Sequence, residues 1–194
     1  MSSRALILER VRRHQPAALA LPELPRFERA APSLAAFGRA LERMGGRLVE
    51  PPPEGSLDAF VRARFPEAGT VCSATPEVEG TRRLEPDTDP RTLADVDVGV
   101  VRAAFGVVET GSVFLSEAEL GVNALGFLAQ HLVVLIDPGA LVADLHDAYR
   151  DPRFCTARYA VLMTGPSATA DIEGVLVRGA QGVRSLTVVP LGRP

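Results

Sequence analysis

The sequence predicts one α/β domain with a parallel sheet covered by helices, and three observations carry that reading. Short apolar runs alternate with helical patterns through residues 33–73. The run after His131, Leu132-Val133-Val134-Leu135-Ile136, is apolar throughout, as a strand buried on both faces would be. Apolar residues are 46% and charged residues 23% of the chain, an ordinary globular composition. With 194 residues the chain can build one sizeable core and is short for two.

Taken in order, Ile7, Leu8 and Val11 recur at helical spacing and predict a helix over residues 3–13, with Arg10, Arg12 and Arg13 outside. Residues 15–32 contain Pro16, Pro22, Pro25 and Pro32 and keep no period, so residues 1–32 read as a helix on a proline-rich arm. That helix either docks on a partner or folds back on its own domain. Fold-back is the expectation, since short chains seldom leave an apolar helix free. The compact domain is expected over residues 33–194. Ser33 caps a helix carrying Leu34, Phe37, Leu41 and Met44, and Gly45-Gly46 stops it. Arg47-Leu48-Val49-Glu50 follows as a short strand closed by Pro51-Pro52-Pro53. Ser56 caps a third helix running through Leu57, Phe60, Val61 and Phe65, and Gly69-Thr70-Val71-Cys72-Ser73 is the next strand.

Residues 74–95 form a polar loop with Pro76, Pro86 and Pro90; loops this long are often functional, and the simpler reading is a mobile crossover. Val98-Gly99-Val100-Val101, Phe105-Gly106-Val107-Val108-Glu109 and Ser112-Val113-Phe114-Leu115 read as extended. The last two form a hairpin turned at Thr110-Gly111, where Gly111 supplies positive φ. After the strand opened by His131, Asp137-Pro138-Gly139 leads into an expected helix with Leu141, Val142, Leu145 and Tyr149 on one face. Tyr159-Ala160-Val161-Leu162-Met163 then enters a small-residue turn. A short helix is expected after it, with Ile172, Leu176 and Val177 on one face and Gly179 as its stop. Leu186-Thr187-Val188-Val189 is the final strand.

Several classes of function are excluded or disfavoured. A net charge of −3 argues against nucleic acid as the main partner. No apolar window is long enough to span a membrane, and the N-terminus is charged too early for a secretory signal, so the chain reads as cytoplasmic. Cys72 and Cys155 are too few for an iron–sulfur cluster and lack Cys-x-x-Cys spacing, so neither a metal site nor a dithiol motif is expected. Cys72 reads as a small buried hydrophobe. All 21 basic residues are arginine, which removes Schiff-base chemistry and the usual P-loop lysine. No cofactor is expected.

Three places could carry chemistry. Glu109, followed by Thr110, Gly111 and Ser112, sits at a turn expected to expose its side chains at a sheet end. It is there either an acid, base or carboxylate nucleophile, or an ordinary turn carboxylate. His131 opens a buried strand and either bonds a carbonyl or faces an open end where ligands collect. In Gly165-Pro166-Ser167-Ala168-Thr169-Ala170-Asp171, the hydroxyls and carboxylates at an expected helix start exceed what capping requires. That makes the stretch a ligand cradle or an interface. Gln181 and Arg184 are expected to project from the loop that follows.

At these residues the chain resembles the LUD-domain family, and within it the lactate utilization protein C group. The resemblance rests on Gly165-Pro166-Ser167-x-Thr169-x-Asp171-Ile172-Glu173 with Val177-x-Gly179-x-x-Gly182, on Glu109-Thr110-Gly111-Ser112, and on Gln130-His131-Leu132-Val133-Val134. It implies a three-layer α/β domain of the ribose-phosphate isomerase, glucosamine-phosphate deaminase and coenzyme A transferase kind. It further implies an accessory role in oxidising L-lactate to pyruvate beside iron–sulfur partner proteins, with no redox centre in this chain. Glu109 and His131 would be its catalytic candidates, and Thr110, Gly111, Ser112, Gly165, Ser167, Thr169, Asp171 and Gln181 its ligand-binding ones. A small anionic ligand and self-association stay open. The family usually has His-Gly-Pro where this chain has Gln181-Gly182-Val183, so a titrating imidazole is missing there and only hydrogen bonding could persist.

Overall fold

A computed structural model describes every residue except 1, 21, 23, 24, 26, 52–54, 86, 193 and 194. Pro52 and Pro53, expected to close the first strand, and Pro86 of the polar loop lie outside the described residues. Along the first half run α1 (Ser3–Arg13), α2 (Leu34–Arg43), β1 (Arg47–Leu48), α3 (Leu57–Arg64), β2 (Val71–Ser73) and β3 (Arg82–Arg83). Then come β4 (Val98–Arg102), β5 (Phe105–Val107), β6 (Ser112–Ser116), α4 (Glu117–Leu120), α5 (Leu125–Leu128) and β7 (His131–Ile136). The chain finishes with β8 (Leu141–Val142), α6 (Leu145–Arg150), α7 (Pro152–Thr156), β9 (Ala160–Met163), β10 (Ala168–Thr169), β11 (Val177–Arg178) and β12 (Ser185–Pro190).

Valine-rich runs make the central sheet because its strands bury both faces. Six parallel strands lie in the order β1-β12-β7-β4-β2-β3. Along β7 the alternation is plain. Val133 and Leu135 join Val98, Val100 and Val189 on the face covered by α3, where Leu57, Phe60 and Phe65 pack. Leu132, Val134 and Ile136 join Leu186 and Val188 on the opposite face, against Phe37 and Leu41 of α2. Cys72 lies in that second core, fully buried, and burial pushes its thiol pKa up.

A second sheet of four strands, β8-β5-β6-β9, closes the far side of that core. Its β5–β6 hairpin is antiparallel, as expected from Thr110-Gly111. Its outer face carries Phe105 and Phe114, stacked with ring centroids 4.6 Å apart, under Leu145 and Phe154 of α6 and α7. The architecture is therefore mixed α/β with a mostly parallel main sheet. Among the described residues no helix is long and apolar enough to cross a membrane.

Three expectations fail. Leu141 and Val142 form no helical face with Leu145 and Tyr149: they are β8, paired in parallel with Gly106 and Val107 of β5, and the helix starts only after Asp144. Pro138 sets a 3-10 turn, Pro138–Ala140, that feeds the chain straight into extended pairing. The helix expected after Asp171 is instead a hairpin, β10 pairing antiparallel with β11. Glu173 (φ 55°) and Gly174 (φ 69°) are both left-handed, and Val175 N–H bonds Ile172 O at 3.1 Å, which is the primed turn that hairpins favour. Finally, α1 does not fold back. It has the expected bounds and all its residues are exposed. The arm touches the domain further on: Phe27 meets His146 of α6 edge-on, and Arg29 pairs with Asp144.

Helix α2 lies unusually close to the chain beneath it. Ser33 Oγ accepts from Ala36 N–H at 3.2 Å, fixing the helix start, and Phe37 and Leu41 are fully buried. A Cβ on Gly111 (φ 69°) would stand 2.1 Å from Leu41 N, and one on Gly165 (φ 71°) would stand 2.4 Å from Met44 O. Both obstacles are backbone, which cannot rotate away. Gly111→Ala therefore combines a left-handed strain with an overlap against the helix, and it should cost more than about 2 kcal/mol in urea unfolding. A loss no greater than that of an exposed-site control such as Gly192→Ala would contradict this packing.

Candidate functional site

The topology singles out one crevice. From β2 the chain moves outward to β3 and then returns to β4 on the other side of β2, so connections diverge between β2 and β4. In open parallel sheets ligands collect at the carboxyl edge of such a divergence. Two adjoining cavities lie there. One, of about 260 Å³, is walled by Ser73, Thr75, Val78, Arg83, Leu84 and Gly121. The other, of about 410 Å³, is walled by Thr75, Glu77, Arg102, Ala118 and Glu119.

Thr75, Glu77 and Arg102 of this crevice are held by one another. Arg102, the last residue of β4, donates from Nε to Glu77 Oε1 at 2.6 Å and from Nη1 to Leu191 O at 3.0 Å. Its Nη2 lies 2.5 Å from the same carboxylate oxygen, a charge contact without hydrogen-bond alignment. Thr75 Oγ1 donates to Glu77 Oε2 in a short contact. Glu119 accepts from Ser116 N–H and Oγ at 2.8 and 2.6 Å, completing the capping box of α4. Burial raises the pKa of Glu77, but the bonds from Thr75 and Arg102 outweigh it and hold the carboxyl below its ordinary value. None of these residues was a candidate in the sequence. Nothing in a local string marks Glu77 or Arg102; only the strand order brings residues 25 positions apart into one pair.

The residues that the sequence does single out are spread over separate settings. Glu109 accepts from Leu145 N–H at 3.1 Å at the start of α6 and lies 3.9 Å from Arg29 Nη1, so its carboxylate is occupied by a helix start and the arm. The Thr110–Ser112 turn is not held out at a sheet end, because α2 covers it. Ser112 is buried, Thr110 Oγ1 lies 2.7 Å from Ser112 Oγ, and Ser112 Oγ makes a short contact with Thr164 Oγ1. This hydroxyl chain joins the hairpin to the end of β9, so Thr110, Gly111, Ser112 and Gly165 do come together, as packing beneath α2.

Ser167 caps no helix. Its N–H donates to Val183 O at 3.0 Å and its carbonyl accepts from Gly179 N–H at 2.6 Å. Thr169 Oγ1 donates to Asp171 Oδ2 at 3.0 Å and accepts from Asp171 N–H at 3.2 Å, so both groups are engaged beside the hairpin turn. Asp171 and Glu173 therefore serve no helix dipole. Gln181 is exposed in the bend after β11. His131 stands at the amino edge of the main sheet, where Nδ1 lies 2.7 Å from Ser185 Oγ. That edge is opposite to the one where ligands of such sheets usually collect. Among the described residues no cluster of three or more His, Cys, Asp or Glu could hold a metal ion.

The Glu77–Arg102 pair is mostly buried, so removing one partner strands the other. Glu77→Gln should lower stability by about 3 kcal/mol at pH 7. Because the folded carboxyl titrates below its ordinary value of 4.5, its stabilising share is complete above that value and is lost as pH falls through the lower folded one. Urea unfolding at pH 7 and at successively lower pH should thus show a gap between wild type and Glu77→Gln that narrows on acidification. A gap that is constant with pH would remove the charge from this account.

The LUD domain model matches residues 78–190. Comparison with curated proteins finds no match. Among solved structures, the chain is similar to a DUF162 family protein from Deinococcus radiodurans, with a TM-score of 0.61 and 17% identity over 82% of this chain and 96% of that one. At that identity the likeness speaks for the fold. The matched span begins at Val78, before β3, and runs to Pro190 at the end of β12, taking in four of the six strands of the main sheet and all of the second sheet. The chain belongs to the LUD domain family.

Proposed function

We propose that this chain is an accessory subunit of an L-lactate-oxidising system, similar to lactate utilization protein C. It would bind iron–sulfur partner proteins and carry no redox centre of its own. The observation that carries this reading is the state of the signature segment. The Ser167 main chain and the Thr169 hydroxyl are engaged within the chain, while the hairpin presents Ile172, Val175 and Leu176 at 52%, 62% and 59% exposure. Apolar side chains gathered at one projecting turn mark a contact surface more often than a catalytic one. The fully exposed α1, with Leu6, Ile7, Leu8 and Val11 outward, adds a second such surface on the arm formed by residues 1–32. The finer likeness to ribose-phosphate isomerase and coenzyme A transferase folds belongs to the same proposal and is supported by the parallel sheet with a crevice at its diverging strands.

Purification of the tagged chain from its native host should bring down iron–sulfur proteins. The triple change Ile172→Ser, Val175→Ser, Leu176→Ser should lose them with little change in Tm. Elution of the wild-type chain free of such partners, alone or as a homo-oligomer, would overturn the reading.

A second reading is supported by the carboxyl-edge crevice: a small-molecule enzyme or binding domain for an anionic metabolite, with Arg83 on the wall as the anion's partner. Under it, a sugar phosphate, organic acid or coenzyme A ester should raise Tm, and Arg83→Gln should abolish the rise. No stabilisation by any of these ligands sinks it.

A further inference from the structure

The amino edge of the main sheet departs from the rest of its α3-facing side. That face is Val98, Val100, Val133, Leu135 and Val189, yet on β7 and β12 the first rungs are His131 opposite Ser185, and Thr187 opposite Val133. Valine at those three positions would meet every packing need. Instead each polar group fixes another one at the wall of a cavity of about 320 Å³ beneath the end of α3. Ser185 Oγ lies 2.7 Å from His131 Nδ1, while Phe65 stacks on the imidazole with centroids 4.8 Å apart and planes 29° apart. Thr187, only 1% exposed, accepts from Arg64 Nε at 3.3 Å.

The charges on this wall are unevenly spent. Asp97 Oδ2 accepts from Gly69 and Thr70 N–H at 2.8 and 2.9 Å, so its negative charge is already met by main-chain donors. Arg64 and Arg184 line the cavity, and among the described residues neither guanidinium is ion-paired with a carboxylate. Glu67 is on the wall too, exposed to solvent and hydrogen-bonded to none of the described residues. Burial, and then the Arg184 charge, hold the imidazole pKa below its ordinary value, with Asp97 opposing. The ring thus stays neutral near pH 7, its Nδ1 taken by Ser185.

We propose that this cavity binds a small oxyanion, a carboxylate or a phosphate, between the guanidinium groups of Arg64 and Arg184, with His131 Nε2 as a third hydrogen-bonding partner. Two guanidinium forks suit planar or tetrahedral oxygen sets, and the volume lies at the lower end of metabolite pockets. The site is separate from the carboxyl-edge crevice and does not depend on the accessory role proposed above. A negative ligand would offset the Arg184 charge and raise the imidazole pKa.

The test uses the full chain with L-lactate and inorganic phosphate as probes, and chloride at matched ionic strength as control. Imidazole ¹H–¹⁵N resonances are followed by NMR. Saturable shifts of His131, absent from His14 and His146, are expected, together with a higher His131 titration midpoint at saturation. Arg184→Gln, an exposed position, should weaken binding about tenfold, whereas Arg4→Gln on α1 should not. Binding of lactate alone assigns the site to carboxylates, of phosphate alone to phosphates, and of both to oxyanions in general. Shifts no larger than those with chloride, or equal affinity in Arg184→Gln, overturn the proposal.

Discussion

The close approach of α2 to two glycines is the constraint on which the rest of the structure depends. At Gly111 and Gly165 the helix backbone occupies the space a Cβ would need, so the hairpin end and the segment after β9 meet under one helix. Helix packing normally separates axes by whole side chains. Here direct contact lets Phe37 and Leu41 reach the core between the two sheets, since Phe37 also borders Gly106 of β5. The Thr110–Ser112–Thr164 hydroxyl chain then follows from geometry, because three small polar side chains enclosed near a helix must satisfy one another.

That arrangement changes what the signature residues mean. A string rich in Gly, Ser, Thr and Asp suggests an anion cradle because those residues make helix starts and phosphate loops. Here the same chemistry serves connection. Gly165 admits α2, Ser167 ties the hairpin base through its main chain on both sides, and Thr169 and Asp171 bond each other beside the turn. Thr169, Asp171 and the Ser167 main chain are bonded within the segment, and the apolar Ile172, Val175 and Leu176 are left outside. For a segment meant to hold an anion the reverse would be expected.

Most of the fold was legible because it was written in period and punctuation. Ser33, Ser56 and the double glycine at 45–46 mark helix ends by local bonds, and each does so in the structure. The unbroken apolar run of β7 could only be a strand buried on both faces. What was not legible depended on partners distant in sequence. Leu141 and Val142 fit a helical face as well as a strand, and only the open edge of β5 decides between them. Residues 170–178 have helical apolar spacing, but Gly174 and the β-branched Val175 and Val177 make the helix weak, and β10–β11 pairing wins. Short α4 and α5 lack the length for a periodic signal. Of the site residues, Glu109 and His131 could be found as polar residues at element ends, but their partners Leu145, Arg29 and Ser185 could not.

The two edges of the main sheet hold their arginines differently. At the carboxyl edge the buried cation of Arg102 is matched by Glu77, which also accepts from Thr75 Oγ1, while Arg102 Nη1 donates to the Leu191 carbonyl. Removing a charge there leaves its partner stranded in a low-dielectric setting, which makes the pair a structural commitment. At the amino edge the carboxylate of Asp97 accepts main-chain N–H groups instead of an arginine, and Arg64 and Arg184 are left without ion pairs among the described residues. Unpaired guanidinium groups at the surface are cheap, because water solvates them. Beside the stacked, partly buried imidazole of His131, burial and then the Arg184 charge disfavour protonation. With His131 held neutral and neither Arg64 nor Arg184 ion-paired among the described residues, this wall would gain from a negative guest. In the fold as a whole, Arg102 at the carboxyl edge is spent on Glu77, whereas Arg64 and Arg184 at the amino edge have no carboxylate partner among the described residues.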